Sequence, residues 1–354
     1  MSRPTSTTGS APNDSHRRPA AVEGPSRRSP GQLLRRLFAH EELGITVVLI
    51  ALVLIIGAFH SKFLTPDSLL GVVRSASFVA LIAFGMVFLL AMSELDLSVG
   101  SVFGLSALIS GELMANGMSP WLSLITGPLI GMALEAINAF FANTFAVPVI
   151  IVTLGTLTAF RGLATVVTDS QAVIGLPLDS SFFRILGGEI LGIPTSVWVV
   201  IVAGAVLTVV FRRTPFGARV RAIGSNPVAA RFSGIKVART RMQALLLVGA
   251  LCGLSGVLAL AYFQGADPTL GVGLELQVIA ATIIGGTAVS GGTGTVPGAL
   301  IGALVIVTIS SGLVYFSVGP SWGGVVTGAT IVIAVSADGL IRRRRAARLA
   351  RAGA

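Results

Sequence analysis

Charged residues are scarce in this chain of 354 residues, of which 11% are Asp, Glu, Lys or Arg. Soluble domains carry about 25% charged residues, so the composition excludes an ordinary water-soluble domain. Hydrophobic residues make up 53% of the chain, and its mean hydropathy is +0.88. Because the apolar residues fall in runs long enough to cross a bilayer, the sequence predicts an all-α polytopic membrane protein.

The residues needed for disulfides, metal sites and nucleotide binding are also missing. Cys252 is the single cysteine and lies in an apolar run, which excludes an intrachain disulfide. The three histidines, His16, His40 and His60, do not form a cluster that would hold a metal ion. No Gly-Lys pair occurs anywhere, so the chain has no Walker A loop. We therefore expect no metal, no cofactor and no enzymatic activity on this chain.

The basic residues, which give a net charge of +10, are clustered rather than spread. Seven arginines lie in residues 1–36, eight Lys or Arg in 212–241 and six arginines in 342–351. The stretch 168–195 carries three acidic residues against one arginine. By the positive-inside rule, the three clusters are predicted to be cytoplasmic and 168–195 external. The charge thus indicates membrane orientation and contact with anionic lipid, not nucleic-acid binding.

Apolar runs predict about ten transmembrane helices. We place them near residues 43–60, 76–93, 97–115, 121–140, 148–167, 196–211, 242–262, 275–290, 296–316 and 321–341. Ten crossings return the chain to its starting side, so the N- and C-termini are both predicted to be cytoplasmic. Segments 97–115 and 275–290 are short or weakly hydrophobic, and we expect protein neighbours around them.

Three regions follow from this pattern. Residues 1–40 are rich in Pro and Arg and predict a disordered basic cytoplasmic tail. Residues 41–341 form the transmembrane domain, with a cytoplasmic loop at 212–241 and an external loop at 168–195. Residues 342–354 form a second basic cytoplasmic tail.

Polar residues inside the predicted bundle mark candidate solute contacts. Glu94 and Asp96 stand between two helices in the stretch ELDLSVGS, where a carboxylate at mid-membrane costs about 2.5–3.5 kcal/mol. They need water, a partner or backbone amides, so Asp96 or Ser98 is expected either to cap the next helix or to contact solute. The full set of translocation candidates is Glu94, Asp96, Ser98, Asn138, Asn143, Arg161 and Gln277.

The loop 212–241 contains a predicted short helix. Asn226 is a favoured helix cap, Pro227 suits the first helical position, and Gly234 would end the helix. Small residues such as Ala229 and Ala230 leave a low profile that would fit a cleft in another protein. The alternative is a solvated basic loop that only sets topology.

Four motifs follow one another along the chain, namely DLSVGS, VTLGTLTAFRGL at 152–163, TPFGARVRAIGSNPVAARFSGIKV at 214–237 and IAATIIGGTAVSGGTGTVPGALIGAL at 279–304. They resemble the motifs of the permease subunits of ribose-type ABC importers, and the similarity covers about residues 45–341. The resemblance implies an inner-membrane passage for a monosaccharide-like solute that an external binding protein delivers. It implies a second permease copy, identical or paralogous, and separate ATPase subunits that hold ATP and Mg²⁺. The residues implied to dock on the ATPase are Gly224, Asn226, Pro227, Ala229, Ala230, Ser233 and Gly234.

Other interpretations stay open at this point. An ion-coupled secondary transporter would use Glu94, Asp96, Glu112 or Glu135 as proton or sodium sites. A membrane-bound enzyme is disfavoured, since the sequence offers no nucleophile with a base and no metal set. Residues 100–104 and 294–298 share a Gly-x-Val-x-Gly pattern, which indicates either a weak internal repeat or a chance match.

Overall fold

The computed structural model describes residues 41–319, 322–330, 332 and 336. The predicted tails 1–40 and 342–354 lie outside the described residues. The helices are α1 Glu41–Phe59, α2 Pro66–Ala91, α3 Val99–Ala115, α4 Ser123–Thr144, α5 Val149–Val167, α6 Ser181–Leu186, α7 Thr195–Arg213, α8 Pro215–Ser225, α9 Pro227–Phe232, α10 Val237–Phe263, α11 Leu274–Ile284 and α12 Val296–Tyr315. Strands β1 Glu189–Ile190 and β2 Ile193–Pro194 form an antiparallel hairpin. Residues 322–330 are also helical.

The helical membrane architecture predicted from the sequence is confirmed. Six helices among the described residues are long and apolar enough to span a membrane, namely α2, α4 with the short turn before it, α5, α7, α10 and α12. Each of the first nine predicted segments overlaps a helix. The tenth, 321–341, lies only partly within the described residues, where 322–330 are helical, so ten crossings stays a prediction.

Several predicted boundaries were wrong, for identifiable reasons. Helix α2 begins at Pro66, ten residues before the predicted start, because Thr65 precedes a proline at the first helical position and Asp67 follows in the first turn. Helix α11 ends at Ile284, before two consecutive glycines, instead of reaching residue 290. The predicted loop 212–241 is mostly helical, since α8, α9 and the first turns of α10 fill it.

Helices α2 and α10 form the centre of the bundle. In the most apolar window of each, 83% of α2 and 78% of α10 are buried, against 22% for α5 and 28% for α7. The central helices pack against α3, α4, α11 and α12. Helices α5 and α7 therefore present apolar side chains outward, as expected of a surface that meets lipid or another membrane protein.

Glycines allow a close approach between α4 and α10. Gly127 and Gly131 of α4 face the backbones of Gly253 and Gly249 of α10. A Cβ atom at Gly131, Gly249 or Gly253 would overlap the opposite backbone, and one at Gly127 would overlap the side chain of Val257. This close packing of small residues at four-residue spacing is typical of membrane helix pairs, and it agrees with the glycine-rich faces of the sequence.

Helices α3 and α11 both begin inside the bundle after non-helical segments, 92–98 and 264–273. Ser98 and Val99, where α3 starts, are fully buried. At this level Gly100 packs against the carbonyl of Gly271 and the side chain of Glu275, at the start of α11. The expectation that these two short segments need protein neighbours is confirmed.

The stretch 168–195 is ordered by α6 and by the β1–β2 hairpin. Arg74 of α2 forms an ion pair with Glu189 of β1 at 2.8 Å and also lies over the ring of Tyr262, near the end of α10. The amide of Val173 donates to the carbonyl of Ala266 at 2.9 Å. This stretch therefore covers the same end of the bundle as the segment 264–273.

Candidate functional site

A buried polar cluster lies where α3 starts. Ser98 donates from its backbone amide and from its hydroxyl to Asp96 Oδ1, each at 2.7 Å, and its hydroxyl lies 3.3 Å from Glu135 Oε1. Asn138 donates from Nδ2 to Ser98 Oγ at 2.9 Å and to Glu135 Oε2 at 3.0 Å. All four side chains are fully buried. The structure thus brings together three of the predicted path residues with Glu135 of α4.

Helix α5 contributes two hydroxyl groups to the edge of this cluster. Thr156 donates to Asn138 Oδ1 at 2.7 Å. The amide of Leu97 donates to Thr153 Oγ1 at 3.0 Å. Sequence reasoning did not select either threonine for this site, although the spacing of Glu135 and Asn138, three residues apart on one helix, already indicated a shared face that needs polar partners.

The predicted capping of α3 by Asp96 or Ser98 is wrong. Asp96 accepts from the amide of Ser98 itself, which closes a turn before the helix, and neither side chain bonds to a first-turn amide. Neutral Ser98 and Asn138 donate hydrogen bonds to the carboxyl groups of Asp96 and Glu135. Asp96 Oδ2 is buried without a hydrogen-bond partner. The cluster is therefore acidic, and among the described residues no Lys or Arg side chain is hydrogen-bonded to either carboxyl group.

Glu94 and Asn143, two further path candidates, are tied into a structural network instead. Arg241 forms an ion pair with Glu94 at 2.6 Å and donates to Asn143 Oδ1 at 3.1 Å. Asn143 donates in turn to the carbonyl of Ala238 at 3.1 Å. These contacts join the end of α4 and the turn after α2 to the start of α10. The sequence placed Arg241 in a basic loop, but in the structure it lies in α10 and binds Glu94 and Asn143.

Arg161 and Gln277 lie near the start of α11. The guanidinium of Arg161 donates to the carbonyls of Leu270 and Gly271 at 2.9 and 3.2 Å, and so holds the non-helical segment before α11. Gln277 lines a cavity of about 340 Å³ between α2, α3, α11 and α12. Polar groups thus occur at the start of both α3 and α11, the arrangement that broken helices give to transporter binding sites.

Helix α9 is formed as the sequence predicted. Asn226 Oδ1 accepts from the amides of Val228 and Ala229 at 3.1 and 2.9 Å, and Pro227 occupies the first turn. Ser233 ends the helix, its hydroxyl donating to the carbonyl of Ala229 at 3.0 Å, and Gly234 follows with a positive φ of 82°.

The exposed face of α9 differs from the predicted one. Ala230 is 4% exposed and packs inward, so it offers no surface to another protein. Val228 and Phe232, four residues apart on one face, are 61% and 90% exposed. Gly224 also faces its own chain, against the carbonyl of Ala91 and the amide of Gly292. Ala229 and Ser233 are exposed as predicted, but the largest accessible side chains are those of Val228 and Phe232.

The described part of the chain contains no group of three His, Cys, Asp or Glu side chains that could hold a metal ion. The side chains that meet in the polar cluster are carboxyl, hydroxyl and amide groups. These donors and acceptors suit hydrogen bonding to a polar solute.

Comparisons with known proteins give one consistent result. The profile of the branched-chain amino acid transport system / permease component family matches residues 68–335. The ribose import permease protein of Bacillus subtilis is 38% identical, over 84% of this chain and 92% of that protein. The D-allose transport system permease protein of Escherichia coli is 34% identical, over 86% and 93%. The L-arabinose ABC transporter permease protein of Azospirillum brasilense is 32% identical, over 93% and 95%. No solved structure matches the chain significantly.

Proposed function

Because the chain belongs to the branched-chain amino acid transport system / permease component family, we propose that it forms the membrane passage of an ABC importer for a monosaccharide. It is a multi-pass inner-membrane permease subunit. We infer the substrate class from three similar permeases, which are named for ribose, allose and arabinose. The similarity covers more than nine-tenths of the length of each.

The chain works with partner proteins. Two cytoplasmic ATPase subunits hold ATP and Mg²⁺, and this chain binds no cofactor. An external binding protein delivers the solute, and a second permease copy, identical or paralogous, completes the passage. The basic clusters contact anionic lipid at the cytoplasmic face, and no nucleic acid is involved.

The proposed topology has ten crossings with both termini in the cytoplasm. The distribution of arginine supports it, because α8 and α9 then lie on the cytoplasmic side. The stretch 168–195 and the segment 264–273 then lie outside.

Helix α9 is the proposed contact with the ATPase. The exposed pair Val228 and Phe232 supports this role, since large apolar side chains suit the centre of a protein interface. ATP-driven closure of the ATPases would shift the permease between two states through this helix. Only a contact that differs between the states can do so.

The cluster at the start of α3 is the proposed polar part of the passage. Asp96, Ser98 and Asn138 supply hydroxyl, carboxyl and amide groups that match sugar hydroxyls. At the start of α11, Gln277 contacts the solute, and Arg161 positions the segment before the helix. Glu94 and Asn143 affect the passage indirectly, because their contacts with Arg241 hold the helices in place.

Purification of the chain from its native membrane tests the proposal. An ATPase and a solute-binding protein are expected to copurify. Uptake of D-ribose, D-allose and L-arabinose into vesicles should require ATP and the binding protein. Recovered sugar that is chemically altered would contradict a pure transport role.

The buried pair Asp96 and Glu135 favours one rival, a transporter coupled to an ion gradient. In the part of the chain that the structure describes, no basic side chain bonds to either carboxyl group, so the cluster suits a bound cation or proton. A protonophore that abolishes uptake while ATP depletion at constant membrane potential does not would favour the rival. The opposite result supports the ABC importer.

A further inference from the structure

A cavity of about 340 Å³ lies between α2, α3, α11 and α12, separate from the Asp96 cluster. Ser75 and Phe78 line it from the first half of α2, Phe263 from the last residue of α10, and Ser311 from near the end of α12. This end of the bundle is the one covered by the stretch 168–195. In the proposed topology the cavity therefore lies in the outer half of the membrane, where solute arrives from a binding protein.

The lining combines aromatic rings with uncommitted polar groups. Phe78, Phe103 and Phe263 supply three rings. Among the described residues, the side chains of Ser75, Ser311 and Gln277 have no hydrogen-bond partner, and none of their polar atoms is sealed from solvent. Hydroxyl and amide groups both donate and accept hydrogen bonds, as sugar hydroxyls require. The C–H faces of a sugar ring pack on aromatic side chains.

The absence of charge in this lining restricts the ligand. No Asp, Glu, Lys or Arg is among the described residues around the cavity. An amino acid brings a carboxylate and an ammonium group, and each is costly to bury without a charged partner. An uncharged solute avoids this cost. The family description mentions amino acids, whereas the relatives are named for sugars. The uncharged cavity favours a sugar over an amino acid.

One wall of the cavity is fixed by Arg161. The cavity is lined by Leu270 and Gly271, whose carbonyls accept both hydrogen bonds from the guanidinium. A planar guanidinium can hold two carbonyls at once, which a lysine ammonium does less rigidly. The segment before α11 is thus held in the shape that encloses the cavity.

We propose that this cavity is a transit site for an uncharged monosaccharide within a single permease copy, lined by Ser75, Phe78, Phe103, Phe263, Gln277 and Ser311. The proposal rests on the proposed function, because it takes the external position and the sugar class from it.

Cysteine labelling in the assembled complex tests the site. Cys252 is fully buried, so the wild-type chain serves as the unlabelled blank. In Ser311→Cys, a membrane-impermeant thiosulfonate should react from outside. D-ribose at about ten times its dissociation constant should slow labelling about tenfold, by simple occupancy. L-leucine at the same concentration should not slow it.

Matched positions make the result specific. Gln171→Cys, exposed in the stretch 168–195, should label equally with and without sugar, and Ser106→Cys, fully buried in α3, should not label. Gln277→Cys places the cysteine in the same cavity on α11. This variant is used for the labelling test if Ser311→Cys fails to reach the membrane.

The outcomes separate the two claims. If the wild-type complex imports D-ribose but no sugar protects the cavity cysteines, the transit site is wrong and the transport function stands. Labelling by membrane-permeant maleimide alone would show that the cavity is closed to the outside, which also overturns the site. If the wild-type complex imports none of D-ribose, D-allose and L-arabinose, the proposed function itself fails.

Discussion

Arg241 and Glu94 are 147 positions apart in the sequence, yet their side chains form an ion pair of 2.6 Å. Glu94 follows α2 and Arg241 lies in the second turn of α10, so the pair joins the two central helices at one end. Both side chains are largely buried. Removal of one partner leaves the other charge without compensation, which is more costly than loss of a surface pair.

Arg241→Gln is therefore expected to destabilise the protein by about 1–3 kcal/mol. The measurement is thermal unfolding of the purified chain in detergent. Glu94→Gln alone should have a similar effect, and the double variant should lose less than the sum of the two. Additive losses would show that the two side chains do not interact.

Asn138 is expected to stabilise the cluster at the start of α3. Asn138→Ala leaves buried Glu135 and Ser98 each short of one partner, at a cost of about 1–3 kcal/mol per group, and removes the acceptor of half-buried Thr156. Asn116→Ala is the matched control, because Asn116 is exposed and donates only to the carbonyl of Glu112 in its own helix. Equal unfolding temperatures for the two variants would contradict this role.

The charge of the same cluster has a separate test. Glu135→Gln keeps the size of the side chain and removes one of two buried acidic groups. We expect this variant to be at least as stable as the wild type, since a buried charge without a cation is unfavourable. A marked fall in unfolding temperature would indicate that the carboxylate charge itself is required, as the ion-coupled rival predicts.

Phe232→Ala should weaken binding of the ATPase. A large exposed apolar side chain at the centre of an interface contributes on the order of 1.4 kcal/mol or more, so affinity should fall about tenfold. Binding of the purified ATPase to the permease in nanodiscs measures this. Phe140→Ala, which removes an exposed ring from the surface of α4, is the control. Unchanged affinity for Phe232→Ala would argue against docking through α9.

Ala230 is expected to act differently from its neighbours on α9. Ala230→Leu adds volume at a buried position and should disturb packing of the helix, at about 1–3 kcal/mol. The effect should appear in the unfolding of the isolated permease, before any ATPase is added. A variant with normal stability and impaired ATPase binding would place Ala230 on the docking surface after all.

Gly131→Ala tests the close approach of α4 and α10. The added methyl group would meet the carbonyl of Gly249, so the helices must move apart. Gly71→Ala is the control, because nothing lies within 4 Å of the new methyl group. We expect loss of folded protein for the first and none for the second. The readout is the fraction of chain that elutes as a single species from size exclusion in mild detergent.

Much of the helical architecture could be predicted from the sequence, because bilayer thickness fixes the length of an apolar run. Predictions that depend on a few neighbouring residues were also confirmed, such as the cap at Asn226 and the helix end before Gly234.

Contacts between residues far apart in the sequence could not be predicted. Nothing near Arg241 indicates Glu94, and nothing near Asp96 indicates Glu135, since both contacts depend on how distant helices pack.

Likewise, the sequence could not predict which face of a short helix is exposed. The small residues of α9 indicated a low profile, but tertiary packing turned Ala230 inward and left Phe232 outside. The capping prediction for Asp96 failed for a similar reason. Ser98 lies between Asp96 and Glu135 and takes the hydrogen bond that a cap would have made.

The central position of α2 has a consequence for biogenesis. Its neighbours α10, α11 and α12 follow it in the chain by at least 145 residues, so they do not yet exist when α2 leaves the ribosome. The nascent helix must first sit among acyl chains and later exchange them for protein. Photocrosslinking of arrested chains should trap lipid early and protein late. A helix whose final environment is almost free of lipid thus keeps the hydropathy of 2.1 that its first environment requires.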